Sequence, residues 1–208
     1  KEYEIYSKKW RGLGNILFLK RLPYWKAWAK YPEMTSTNWE STYRTLQKYN
    51  AKLTVGVTAS WVNYDGTLDP YPIKYPKAAA TLKEGLQEGL VEVANHGLTH
   101  CVLKDFLFRP KWFRSNRSYH REFWEWIDRD IHFKHLEQSQ EILQNYFQVP
   151  VTTLIPPGNV FCNATLEAAK KYGIKLVNCS TNDRVYEGLS IVSNKNVFAF
   201  HDKEIVEL

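Results

Sequence analysis

At 208 residues with 44 % hydrophobic side chains, the chain can bury one sizeable core, whereas two full domains would each be cramped, so residues 1–208 read as a single domain. Charged residues make up 24 %, no apolar run approaches the ~20 residues of a spanning helix, and no segment has the build of a signal peptide, which excludes a helical membrane span within this stretch. The net charge of +6 comes from Lys and Arg scattered among acids, a poor footprint for nucleic acid and one equally expected beside anionic envelope polymers.

Cys101, Cys162 and Cys179 are odd in number and lack paired spacing, so a complete disulfide framework is excluded and they read as buried thiols. Cys101 follows His100 directly, which leaves a thiolate ligand as the minor alternative. The chain begins at Lys1 without a methionine, compatible with an upstream leader or anchor removed by processing. Localisation stays open, with the cell envelope or exterior ranked ahead of the cytoplasm. Aromatic residues, 15 % of the chain, supply core volume for the most part and flat platforms for sugar faces for the rest.

In chain order, Asn15 to Leu19 read as a short apolar strand. Thr37-Asn38-Trp39-Glu40 has the form of a capping box, with Trp39, Tyr43 and Leu46 at helical spacing behind it, and predicts a helix from Thr37 to Tyr49. Leu53 to Thr58 is a β-rich run, and the loop through Asp65, Gly66, Asp69 and Pro70 is turn chemistry. Pro76 then opens a helix carrying Ala79, Leu82 and Leu86. A strand from Leu90 to Ala94 leads into an aromatic-rich stretch with no clear period, followed by a helix from Phe133 to Tyr146 and a strand from Val151 to Ile155. A helix capped by Asn163 ends at Gly173, and two strands, Lys175 to Cys179 and Val197 to Phe200, close the chain.

Apolar strands alternating with amphipathic helices predict an α/β fold with a mainly parallel sheet, either open and doubly wound or curled into a barrel. Both place their chemistry at the carboxyl ends of the strands. Asn95-His96, Pro156-Pro157-Gly158-Asn159 and His201-Asp202 all fall there. His96 and His100 are four apart, so one turn of helix would set both imidazoles on one side, a spacing that suits a divalent ion. A catalytic ion of this kind wants a third protein ligand, usually a carboxylate, and an open position.

The run Val91-Glu92-Val93-Ala94-Asn95-His96-Gly97-Leu98-Thr99-His100 resembles the strand and His-x-x-x-His motif of polysaccharide deacetylases, the NodB-homology carbohydrate esterases. Ile155-Pro156-Pro157-Gly158-Asn159 with the helix behind it resembles their Pro-rich groove motif, and Val197 to Asp202 resembles their final strand with its catalytic histidine. The resemblance implies a NodB-like fold, a distorted (β/α) barrel of mainly parallel strands. It also implies a metal-dependent hydrolase that removes N-acetyl, less often O-acetyl, groups from an acetylated carbohydrate or polysaccharide.

On that resemblance His96 and His100 hold a divalent metal, Zn²⁺ first with Co²⁺ or Ni²⁺ as alternatives, and Pro157 and Gly158 line the substrate groove. The backbone near Asn159 supplies an oxyanion donor, and His201 protonates the leaving amine. Glu92 and Asp202 read as structural or surface carboxylates rather than orienters of an imidazole. The family's first strand ends in adjacent aspartates, a general base and the third ligand; here Asn15 to Leu19 runs into Lys20-Arg21-Leu22-Pro23, and no Asp precedes Asp65. Three readings stand: a degenerate site that binds glycan without turnover, another carboxylate in substitution with Glu33 the nearest upstream acid, or residues missing between Leu19 and Tyr24. The family's arginine in the groove motif is also not in evidence, Leu154 and Ile155 occupying that neighbourhood. Sugar, linkage and oligomeric state are not legible.

Overall fold

The computed structural model describes residues 34–63, 67–101, 121–180 and 183–193. The expected strands Asn15 to Leu19 and Val197 to Phe200, together with Glu33, His201 and Asp202, lie outside the described residues. Helix α1 spans Ser36–Lys48 and buries Trp39 and Tyr43. Its capping box sits two residues earlier than the sequence suggests: Asn38 N donates to Thr35 Oγ1 (3.3 Å), and Thr35 N donates to Asn38 Oδ1 (2.9 Å). The short Asn38 side chain performs the reciprocal step assigned above to Glu40.

Strand β1 (Leu53–Val57) leads into an antiparallel pair, β2 (Ser60–Val62) and β3 (Leu68–Pro70). Asp69 and Pro70 therefore belong to a strand and not to a turn; Pro70 is its last residue and the N-cap of a single helical turn, α2 (Tyr71–Lys74). Helix α3 (Pro76–Gln87) starts on its proline as expected, because Pro lacks the N–H that would be orphaned in a first turn. The remaining elements are β4 (Val91–Asn95), α4 (Arg129–Phe147), β5 (Thr153–Leu154), a 3-10 turn (Pro157–Asn159), α5 (Asn163–Lys171), β6 (Leu176–Ser180), β7 (Arg184–Tyr186) and β8 (Leu189–Ser193). The cap of α5 is Cys162, with Asn163 the first helical residue, so the assignment of Asn163 as cap is corrected by one position. The strand expected from Lys175 to Cys179 is β6, whereas β7 and β8 were not expected.

One sheet runs β1-β4-β5-β6-β8-β7, parallel at every junction except the last. Each new parallel strand is laid beside the previous one in the same direction across the sheet, with no reversal of order. A doubly wound sheet has a switch point where the order reverses, so this winding is of the barrel type. Among the described residues the sheet is not closed on itself. The helices bury two adjoining apolar clusters against it. Trp39, Tyr43, Leu82, Val91, Val93, Leu143 and Phe147 form one, and Phe123, Leu136, Leu154, Leu166, Val177 and Ile191 belong to the other.

Helix α4 reaches both clusters, Leu136 entering one and Leu143 the other, seven residues or two turns apart. Its 19 residues are closed by the C-cap Gln148, whose φ of 60° is left-handed. Leu136 is fully buried, and truncating it leaves a cavity that close-packed neighbours fill only in part. Leu136→Ala should therefore cost about 2–5 kcal/mol in urea denaturation; a loss under about 1 kcal/mol would mean that α4 is not packed as described.

Candidate functional site

The site grows from the end of β4. Asn95 is fully buried, and its side chain serves three neighbours: Oδ1 accepts from Gly97 N (2.8 Å), while Nδ2 donates to Ser139 Oγ (2.8 Å) and Gln140 Oε1 (3.1 Å) on α4. The contact to Gly97 is an Asx-type turn that swings the chain off the strand, and Gly97 accepts it with φ at 81°. His96 then lies over Gly56 of β1, where a Cβ would stand 3.5 Å from the imidazole.

His96 Nδ1 is 2.5 Å from the Ile155 carbonyl. A carbonyl only accepts, so Nδ1 carries the proton and Nε2 keeps the lone pair that a metal needs. The His100 ring is edge-on to His96, with centroids 4.9 Å apart at 65°. The helical turn imagined from their spacing is absent: a loop joins them, and His100 itself is left-handed at φ 59°. Imidazole nitrogens suit a borderline ion such as Zn²⁺, Co²⁺ or Ni²⁺. Among the described residues no group of three or more His, Cys, Asp or Glu is placed to hold a metal, so the pair offers two nitrogens without a third such donor beside them.

The residue that organises this loop was not singled out from the sequence. The Glu122 carboxylate is fully buried and accepts from three successive amides, Leu98 (2.9 Å), Thr99 (3.4 Å) and His100 (3.0 Å). His135 Nδ1 of α4 approaches its Oε1 at 2.5 Å. The carbonyls of the same loop face the other way, Gly97 O taking Ala59 N (3.0 Å) and Leu98 O taking Ser60 N (2.7 Å). A Cβ on Gly97 would collide with Glu122 Oε2 and reach 3.0 Å from Pro157 Cγ. Nothing local announces this role: Glu122 comes from the stretch in which the sequence shows no period.

The groove motif adjoins the loop. Pro157 is buried against Gly97, and Gly158, at φ 63°, is crossed by Arg121, whose Cγ lies 2.6 Å from where a Cβ would be. The Arg121 guanidinium sits 5.2 Å above the Trp124 ring. Asn159 is exposed, and its N–H donates to the Pro156 carbonyl (3.0 Å), closing the 3-10 turn. His96, His100, Pro157 and Gly158 thus share one rim, with Asn159 at the next step along it. Glu92 touches none of this: it takes hydroxyl donors from Thr54 (2.9 Å) and Thr153 (2.6 Å), a strut across three strands. Cys101 is fully buried.

A second buried polar group lies one turn before His135 on α4. His132 contacts Thr165 Oγ1 through Nδ1 (3.0 Å), and its Nε2 is 4.0 Å from Cys162 Sγ. Burial holds its pKa below the ordinary histidine value.

The model of the polysaccharide deacetylase family matches residues 28–177, well over half of the chain, and the chain belongs to that family. Among solved structures it is similar to the deacetylase domain of BpsB from Bordetella bronchiseptica, with 17 % identity over 77 % of this chain and 69 % of that one and a TM-score of 0.50. It is similar to the Streptococcus pyogenes deacetylase PplD, solved with acetate, at 15 % identity over 74 % and 57 % of the two chains and a TM-score of 0.50. A CE4 family pseudoenzyme from Bacillus anthracis matches at 14 % identity over 70 % and 40 %, with a TM-score of 0.47. The chain therefore spans less than two thirds of the last two. These likenesses concern the fold. No curated protein sequence matches the chain.

Two outcomes follow. Gly97→Ala and Gly89→Ala both force a side chain into a left-handed backbone at about 1–2 kcal/mol, but only at Gly97 is the added methyl obstructed, Gly89 facing open space. Urea denaturation should show the larger loss for Gly97→Ala, and equal losses would contradict the crowding. For His132, the folded value lies below the 6.5 of an unfolded histidine, so on acidification the unfolded chain takes up this proton first. The associated stability is present above 6.5 and is lost as pH falls toward the folded value. Stability measured from pH 7.5 to 5 should decline less steeply in His132→Asn than in the parent, and parallel curves would contradict the assignment.

Proposed function

We propose that this chain is a metal-dependent carbohydrate deacetylase domain acting on an N-acetylated, or less often O-acetylated, sugar unit. The observation that carries the reading is the His96–His100 pair on the carboxyl edge of a parallel sheet, with the His96 tautomer fixed by the Ile155 carbonyl so that the lone pair of the ring lies on Nε2. A divalent ion held by these two nitrogens and a third donor supplies Lewis acidity toward the acetyl carbonyl and toward water. Pro157 and Gly158 form the wall beside it, with the Arg121 side chain lying across Gly158. The Asn159 N–H serves as an oxyanion donor by sharing or leaving the Pro156 carbonyl, a contribution worth ~2.7–4 kcal/mol in the barrier. His201 protonates the leaving amine, a role worth about 10²–10⁴-fold in rate.

A catalytically silent glycan-binding domain is the second reading, and the cations Lys20 and Arg21 favour it, following in sequence the apolar run Asn15 to Leu19 after which the resemblance expects the family's aspartates. Acetate release from N-acetylated chitooligosaccharides in the presence of Zn²⁺, Co²⁺ or Ni²⁺ separates the two. The parent should turn over, and His96→Ala and His100→Ala should each lose at least about 100-fold, on the order of the loss of a catalytic ligand. Binding of the oligosaccharide with no acetate released would select the silent reading. Turnover equal in parent and variants would remove these histidines from the site.

A further inference from the structure

We propose that Glu122, braced by His135, is the positioning residue of the His96–His100 pair, the group that aims both imidazoles at one ion. The inference rests on reading those two histidines as metal ligands, and it concerns a residue outside the motifs that define them. An ionised carboxylate offers about four lone-pair sites. Here four donors occupy them: Leu98 N–H and His135 Nδ1–H on Oε1, Thr99 N–H and His100 N–H on Oε2. No acceptor capacity is left for a cation, so Glu122 is not the missing third ligand.

Three consecutive amides can converge on one carboxylate only if the chain curls around it. The curl is set by the left-handed residues at its two ends, Gly97 and His100. His100 pays the strain of a left-handed L-residue and is held there by its own N–H on Oε2. A histidine freed from that bond relaxes toward ordinary backbone angles and swings its ring away from His96. His135 fixes the other side, because it ties the carboxylate to α4, the same helix whose Ser139 and Gln140 hold Asn95. Both ends of the loop are thus referred to one rigid element.

Two readouts test this, one of them independent of metal. In metal-free protein, amide hydrogen exchange at Leu98, Thr99 and His100 should accelerate at least about 10-fold in Glu122→Gln, with amides of β6 and β8 unchanged as the internal measure of global stability. Co²⁺ affinity, measured by competition titration, should fall about 10–100-fold, the range found when a group that orients a ligand is removed. His135→Gln keeps the carboxylate on its three amides, and should move both readouts in the same direction by a smaller factor; it serves if Glu122→Gln does not fold. A parent that binds no Co²⁺ while the three amides still respond would end the metal reading and leave Glu122 as the organiser of the loop. Three amides protected alike in parent and variants, or Co²⁺ held equally tightly by all, would overturn the proposal.

Discussion

A carboxylate stripped of water in a protein interior survives only when every lone pair is answered, and the Glu122 carboxylate is the point on which the candidate site hangs. Removing one partner of such a buried charge typically costs about 3–5 kcal/mol. That cost makes the arrangement all-or-none. Either the loop from Gly97 to His100 wraps the carboxylate and His135 closes it, or the charge stands unpaired inside the fold. Gly97 is required twice over, for its left-handed backbone and because Glu122 and Pro157 leave no room for a Cβ.

Helix α4 carries this organisation into the rest of the molecule. Its inward face interleaves apolar residues with His132, His135, Ser139 and Gln140, all buried. Those four reach Thr165, Glu122 and Asn95, while Gln140 Nε2 also serves the carbonyls of Val151 (2.9 Å) and Tyr172 (3.0 Å). One helix therefore satisfies polar groups at the end of β4, ahead of β5 and behind α5. The chemistry at the sheet edge inherits the rigidity of two apolar clusters that α4 also joins.

The alternation of strands and helices was legible because burial on both faces of a parallel sheet leaves a strong apolar signal, and β1, β4, β5 and β6 appear where that signal lies. That His96, His100, Pro157 and Gly158 fall beyond the carboxyl ends of strands was legible for the same reason. The β7–β8 hairpin was missed: its turn is Glu187-Gly188, both at positive φ, and Glu at the first position is not a residue that advertises such a turn. The polar stripe of α4 was missed for a different reason. Polar residues at helical spacing ordinarily mark a solvated face, and only tertiary partners, distant in sequence, turn them inward. Glu122 shares that blindness, its donors lying 13 to 24 residues away.

The proposed function turns on a metal at the His96–His100 pair. The most direct measurement is anomalous diffraction at the zinc absorption edge from crystals grown with Zn²⁺. A single strong peak about 2.0–2.1 Å from His96 Nε2 and within ligand distance of the His100 ring is the predicted result. A peak elsewhere, or none at these rings under saturating Zn²⁺, would contradict it.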